Sequence, residues 1–107
     1  MLELSTFEEL SAYIRGVLIQ KGDLDESTPM VDRTLLQNGE SVGVEYTLLA
    51  PRSVRLSAVW SATESRILFY DAELSRFQAT AIQGPPADAI LHRPRSDAEI
   101  ASLWTGK

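Results

Sequence analysis

The chain has 107 residues, of which 44% are hydrophobic and 23% charged, a length and balance that suit one globular domain spanning 1–107 with an ordinary core. It has no cysteine, which excludes a disulfide framework, a thiolate metal site and a cysteine nucleophile. The net charge of −5 argues against nucleic acid or an anionic membrane as a partner, because both call for a basic footprint.

That charge is unevenly placed. Glu3, Glu8, Glu9, Asp23, Asp25, Glu26 and Asp32 face only Arg15 and Lys21 in residues 1–32, whereas acids and bases balance over the remainder. A basic protein partner is compatible with this acidic end, and so is simple solubility. Met1-Leu2-Glu3-Leu4 carries no basic region ahead of an apolar core, and no apolar run approaches the ~20 residues that span a bilayer, so a cytoplasmic protein is expected.

Ser5-Thr6-Phe7-Glu8-Glu9 offers two overlapping capping boxes, Ser5 with Glu8 and Thr6 with Glu9. Behind them Phe7, Leu10, Ile14, Val17, Leu18 and Lys21 fall on one helical stripe. Gly22 is expected as the left-handed cap. Gly16 should cost the helix about 1 kcal/mol relative to alanine, a cost that close approach of helix to sheet would offset. Asp23, Asp25 and Ser27 alternate like the start of a calcium loop, but Thr28 and Thr34 stand where that loop needs glycine and glutamate, so a solvated crossover is expected.

From Asp32 to Gln83 the pattern changes to period two, hinged on Asn38-Gly39, a strong signal for a type I′ hairpin turn. Pairing Gln37 with Glu40 sets Leu35 opposite Val42, Arg33 opposite Val44 and Val31 opposite Tyr46. Val31, Leu35, Val42, Val44, Tyr46 and Leu48 then share one face, broken only by Arg33. A three-residue loop of Pro51, Arg52 and Ser53 pairs Leu48 with Leu56, Tyr46 with Ala58 and Val44 with Trp60, keeping that face continuous where a two-residue loop would invert it. After Ala62-Thr63-Glu64-Ser65, Arg66 to Tyr70 is apolar on both sides. A last strand is predicted over 76–83 with Phe77, Ala79 and Ala81 on one side, ended by Gly84-Pro85-Pro86. Ser96-Asp97-Ala98-Glu99 opens a short C-terminal helix carrying Ile100, Leu103 and Trp104.

The predicted fold class is α+β, an N-terminal helix packed across a four- to five-stranded antiparallel meander with a short C-terminal helix. One helix followed by such a meander resembles the cystatin-like arrangement. The resemblance is one of topology, and the inhibitor motif of the cystatins is not present. Type III secretion chaperones are also small, acidic and α+β, but they place a helix between strand groups where this chain has only Thr63-Glu64.

Catalytic signals are sparse. His92 is the single histidine, no Gly-x-Ser-x-Gly elbow nominates a nucleophile, and no glycine-rich phosphate loop occurs, so no catalytic residue, metal or cofactor is nominated. The leading expectation is a non-catalytic protein-interaction module of adaptor, inhibitor or immunity type. It would self-associate as a homodimer through the second sheet face, where Leu36, Leu49, Val59, Leu68 and Tyr70, joined by Trp104, stand among polar side chains. The alternative is a small-molecule binder or enzyme with a cavity between helix and sheet, bordered by Tyr46 and Trp60, with His92, Arg93 and Arg95 as an anion clamp at its mouth. Binding of nucleic acid would require Arg33, Arg52, Arg55, Arg66 and Arg76 to converge, against the net charge.

Overall fold

The computed structural model describes residues 2–86. Helix α1 (Phe7–Gly22) lies on one face of a six-stranded mixed sheet made of β1 (Leu2–Glu3), β2 (Met30–Gln37), β3 (Glu40–Leu49), β4 (Arg55–Ser61), β5 (Arg66–Tyr70) and β6 (Arg76–Gln83). Strands β2 to β6 form a sequential antiparallel meander. The short β1 joins the far edge parallel to β6, with Leu2 beside Ile82, so the sheet has one strand that alternation did not announce. The expected C-terminal helix, and with it His92, Arg93, Arg95 and Trp104, lie outside the described residues.

Helix α1 starts at Thr6, whose Oγ1 accepts from the Glu9 N–H at 3.1 Å. Glu9 Oε1 in turn accepts from the N–H groups of Ser5 and Thr6, at 2.9 and 3.2 Å. Of the two capping boxes, the Thr6–Glu9 pair is the one that forms. Leu10, Ile14 and Leu18 are fully buried, and Phe7, Tyr13 and Val17 pack at the margin of the same cluster. Burial of each of the first three contributes roughly 1.5–3 kcal/mol, and it is this docking that holds a helix of four turns.

Two glycine expectations in α1 need correction. Gly22 is the last helical residue and the left-handed cap is Asp23, at φ 51°. A Cβ on Gly22 would come within 2.6 Å of Leu56 Cδ1, so the glycine admits the neighbouring side chain rather than a turn. Gly16 is exposed, and a Cβ there would meet nothing within 4 Å. Close approach to the sheet therefore does not offset its helix penalty.

The Asn38-Gly39 turn has φ of 54° and 81°, as a type I′ hairpin requires, and Gln37 pairs with Glu40. Beyond Leu36–Ser41 the expected register fails, because an extra residue, Val42, bulges from β3 and Leu35 pairs with Gly43. Arg33 then stands opposite Glu45 instead of Val44. The correction removes the one charge from the predicted apolar face and gives it an ion pair at 2.6 Å. Val31, Arg33 and Leu35 point away from the helix, whereas Met30, Asp32 and Thr34 fall on its side. Gly43 is buried in this distortion, and a Cβ on it would lie 2.2 Å from the Trp60 carbonyl oxygen.

The second turn follows the expected register. Pro51–Ser53 forms a single 3₁₀ turn closed by the Ala50 N–H donating to Val54 O at 3.1 Å. Leu48 pairs with Leu56, Tyr46 with Ala58 and Val44 with Trp60, and all six are buried. Phe69 and Ile67 continue this layer on β5, opposite Ala58 and Trp60. A second bulge corrects β6. Tyr70 pairs with Arg76 and Phe69 with Gln78, so Phe77 swings onto the core, its ring 6.0 Å from that of Phe69, while Ala79 and Ala81 face outward.

Gly16→Ala is expected to raise stability by about 0.5–1 kcal/mol. Gly43→Ala should lower it by more than about 2 kcal/mol, because its Cβ would overlap the backbone of the neighbouring strand. Urea unfolding of the two variants measures both effects, and an unchanged midpoint for Gly43→Ala would contradict the bulge.

Candidate functional site

The outward face of the sheet carries the clearest candidate surface. Val31 and Leu35 on β2, Leu49 on β3, Val59 on β4, and Leu68 and Tyr70 on β5 are all half-buried on the side away from α1. Val59 and Leu68 are direct cross-strand partners at the centre, and Tyr70 pairs with Ser57. Polar neighbours surround them: Glu45 stands opposite Val59, Thr47 opposite Ser57, and Leu49 opposite Arg55. The expected face is therefore present in Leu49, Val59, Leu68 and Tyr70, but its β2 contribution changes. Strand alternation puts Leu36 on the same side as Met30, at the hairpin end, where it is 64% exposed. Val31 and Leu35 take its place. The missing signal was the bulge at Val42, which no residue type in β3 announced except the glycine that follows it.

The face is electrically mixed. Arg33 Nη2 meets Glu45 Oε1 at 2.6 Å across the β2–β3 ladder, with the arginine mostly exposed. Arg66 Nη2 meets Glu64 Oε1 at 2.6 Å at the β4–β5 turn, and Arg66 Nε is buried without a hydrogen-bond partner. Exposed pairs of this kind contribute at most about 1 kcal/mol each, so their role is to set the pattern of charge rather than to hold the fold. Two of the five arginines considered for nucleic acid are thus already paired with carboxylates.

On the helix side, Tyr46 and Trp60 belong to the packed core, each 1% exposed. The Phe7 ring meets Trp60 edge-on at 5.7 Å, Tyr13 meets Phe69 at 6.3 Å, and the Ser11 hydroxyl donates to Tyr46 Oη at 3.5 Å. Neither aromatic offers an open ring to a ligand in this packing. No group of three or more metal-ligating side chains occurs among the described residues, and none of their helices is long and apolar enough to cross a membrane.

A second surface lies on the outer side of α1. Arg15 reaches from the helix to the 23–29 loop, where its Nη1 donates to Thr28 O at 2.6 Å and Glu26 O at 3.4 Å. Beside that bridge is a groove of about 520 Å³ lined by Ala12, Arg15, Gly16, Ile19, Gln20 and Glu26. In the loop, Asp25 Oδ1 accepts from the hydroxyl and the N–H of Ser27, at 2.6 and 2.8 Å. Those two bonds, the hydroxyl first, hold the Asp25 carboxyl below the ordinary aspartate range. The alternation of Asp25 and Ser27 is thereby explained as a local turn.

No family model matches this chain, and neither a curated protein nor a solved structure does.

The depressed Asp25 value fixes the sign of its pH effect. The folded loop gains from the carboxylate above the ordinary aspartate range and loses that gain as pH falls through the lowered value. Ser27→Ala is expected to return the Asp25 titration, followed by carboxyl NMR shifts, towards the unperturbed value. A midpoint that does not move would show that Ser27 is not its cause.

Proposed function

We propose that this chain is a small protein-interaction module of adaptor, inhibitor or immunity type, which acts by surface contact rather than by catalysis and associates as a homodimer through the sheet face opposite α1. One observation carries the reading: Val59, Leu68 and Tyr70 adjoin one another on the side that the helix leaves open, and Val31, Leu35 and Leu49 stand half-buried on the same side among polar neighbours. A face apolar at its centre and polar at its rim has the anatomy of an interface.

Its size suits a second copy. Strands β2 to β6, spaced by ~4.8 Å and about 20 Å long, span on the order of 480 Å² in projection, the scale of the smaller interfaces. Its charges suit one too. Arg33 and Glu45 neutralise each other across β2 and β3, so that part of the face sets no net charge against a second copy. The meander with α1 across it supports a cystatin-like reading of the fold in which β1 is an added edge strand. The lack of cysteine fits a cytoplasmic setting.

The wild-type chain is expected to sediment at twice its monomer mass at micromolar concentration. Leu68→Glu, placed at the patch centre, should sediment as a monomer while keeping the wild-type circular dichroism spectrum. Ala12→Glu, on the exposed outer side of α1, should remain dimeric. A wild-type chain that stays monomeric at high concentration, or a Leu68→Glu variant that stays dimeric, overturns the reading.

A further inference from the structure

The tip of the β2–β3 hairpin joins a reactive pair of residues to an open setting. Asn38 is the only asparagine in the chain, and a glycine follows it. Gln37, Asn38, Gly39 and Glu40 are all exposed. A Cβ on Gly39 would meet nothing within 4 Å beyond its chain neighbours, so no side chain shields the peptide nitrogen between Asn38 and Gly39. That nitrogen and the Asn38 side-chain carbon are separated by the bonds of a five-membered ring.

The turn decides when such a ring can close. In the type I′ geometry, with φ of 54° and 81°, the Asn38 side chain and the Gly39 nitrogen lie on opposite sides of the Asn38 Cα–C bond. Closure therefore waits until the tip opens. Opening is local here, because Gln37–Glu40 and Leu36–Ser41 are the only pairs between the turn and the register shift. Strand β2 is also an edge strand, and Leu36 at this end is 64% exposed. Segments with few buried contacts open at a small fraction of the global unfolding free energy.

We propose that Asn38 is a spontaneous modification site of the folded protein, converted to isoaspartate through a succinimide. The Gly39 nitrogen bonds to Asn38 Cγ, and its proton leaves with the side-chain nitrogen as ammonia. Water then adds across one of the two carbonyl C–N bonds of the ring. Cleavage at the main-chain carbonyl routes the backbone through Cγ, which lengthens it by one carbon and leaves a carboxylate at the turn. The two-residue loop then no longer has the backbone that pairs Gln37 with Glu40. Leu35, the first outward apolar residue beyond the register shift, loses its support on the sheet face. That last consequence rests on the dimer reading, and the modification itself does not.

The folded wild-type chain, kept in mildly alkaline buffer, is expected to exchange amide for carboxyl in its 34–52 tryptic peptide, read by mass, and to accept methyl groups from an isoaspartyl methyltransferase. Chain unfolded in guanidinium should convert at least about tenfold faster, because its tip needs no opening. A folded chain still unmodified when the unfolded chain is fully converted overturns the proposal, as does a mass change without methyl acceptance. Equal rates in the two states would remove the control by the turn. In sedimentation the aged chain should dimerise about fivefold more weakly than fresh chain, the loss of one ordinary interface side chain. Asn38→Gly, which suits the same turn and has no side-chain amide, should age without change. An isoaspartate-bearing chain that dimerises like fresh chain breaks the link to the sheet face. A fresh chain that is monomeric from the start counts against the dimer alone, and the mass and methylation readouts still decide the Asn38 chemistry.

Discussion

The pairing of β3 with β4 is the constraint on which the rest of the structure depends. Three inward pairs, Leu48–Leu56, Tyr46–Ala58 and Val44–Trp60, alternate large with small or aliphatic side chains and are shielded from water on the helix side. Because strand side chains repeat every two residues, a slip of one position would turn Leu56, Ala58 and Trp60 outward while Leu48, Tyr46 and Val44 stayed inward. The turn at Pro51–Ser53 fixes that register locally, and α1 then lays Leu10, Ile14 and Leu18 over the resulting surface. Helix docking is a consequence of this ladder, since an isolated helix of this length is marginal in water.

The two bulges show how the flanking strands accommodate the central pair. On β2, continued alternation from the hairpin would have placed the Arg33 guanidinium among Val44 and its neighbours, and a charge buried without a partner costs several kcal/mol. One extra residue on β3 rotates β2 instead, and Arg33 finds Glu45 in solvent. On β6 the extra residue is Phe77 itself, which turns inward to Phe69 while the small Ala79 and Ala81 take the outward positions. In both cases the ladder gives up regular pairing at one residue so that burial matches side-chain chemistry.

The domain therefore has two unlike surfaces on opposite layers. The outward sheet face is apolar at its centre with paired charges of both signs, a composition that self-association tolerates. The outer side of α1 carries a shallow groove with Arg15 and Glu26 both on its lining. Joining two chains through their sheets leaves both helices outermost.

Local signals in the sequence determined the helix, the presence of a capping box at its start, the Asn38-Gly39 turn, the three-residue loop and the inward set of Val44, Tyr46, Leu48, Leu56, Ala58 and Trp60. Each rests on contacts within a few residues or on a strict period, and both are written directly in the chain. The β1–β6 pairing, the bulges at Val42 and Phe77, the exchange of Leu36 for Val31 and Leu35, and the open slot at Gly16 were decided only by tertiary structure. They depend on which of two locally acceptable arrangements leaves a charge wet and a ring dry. That choice compares residues far apart along the chain, and alternation alone contains no information about it.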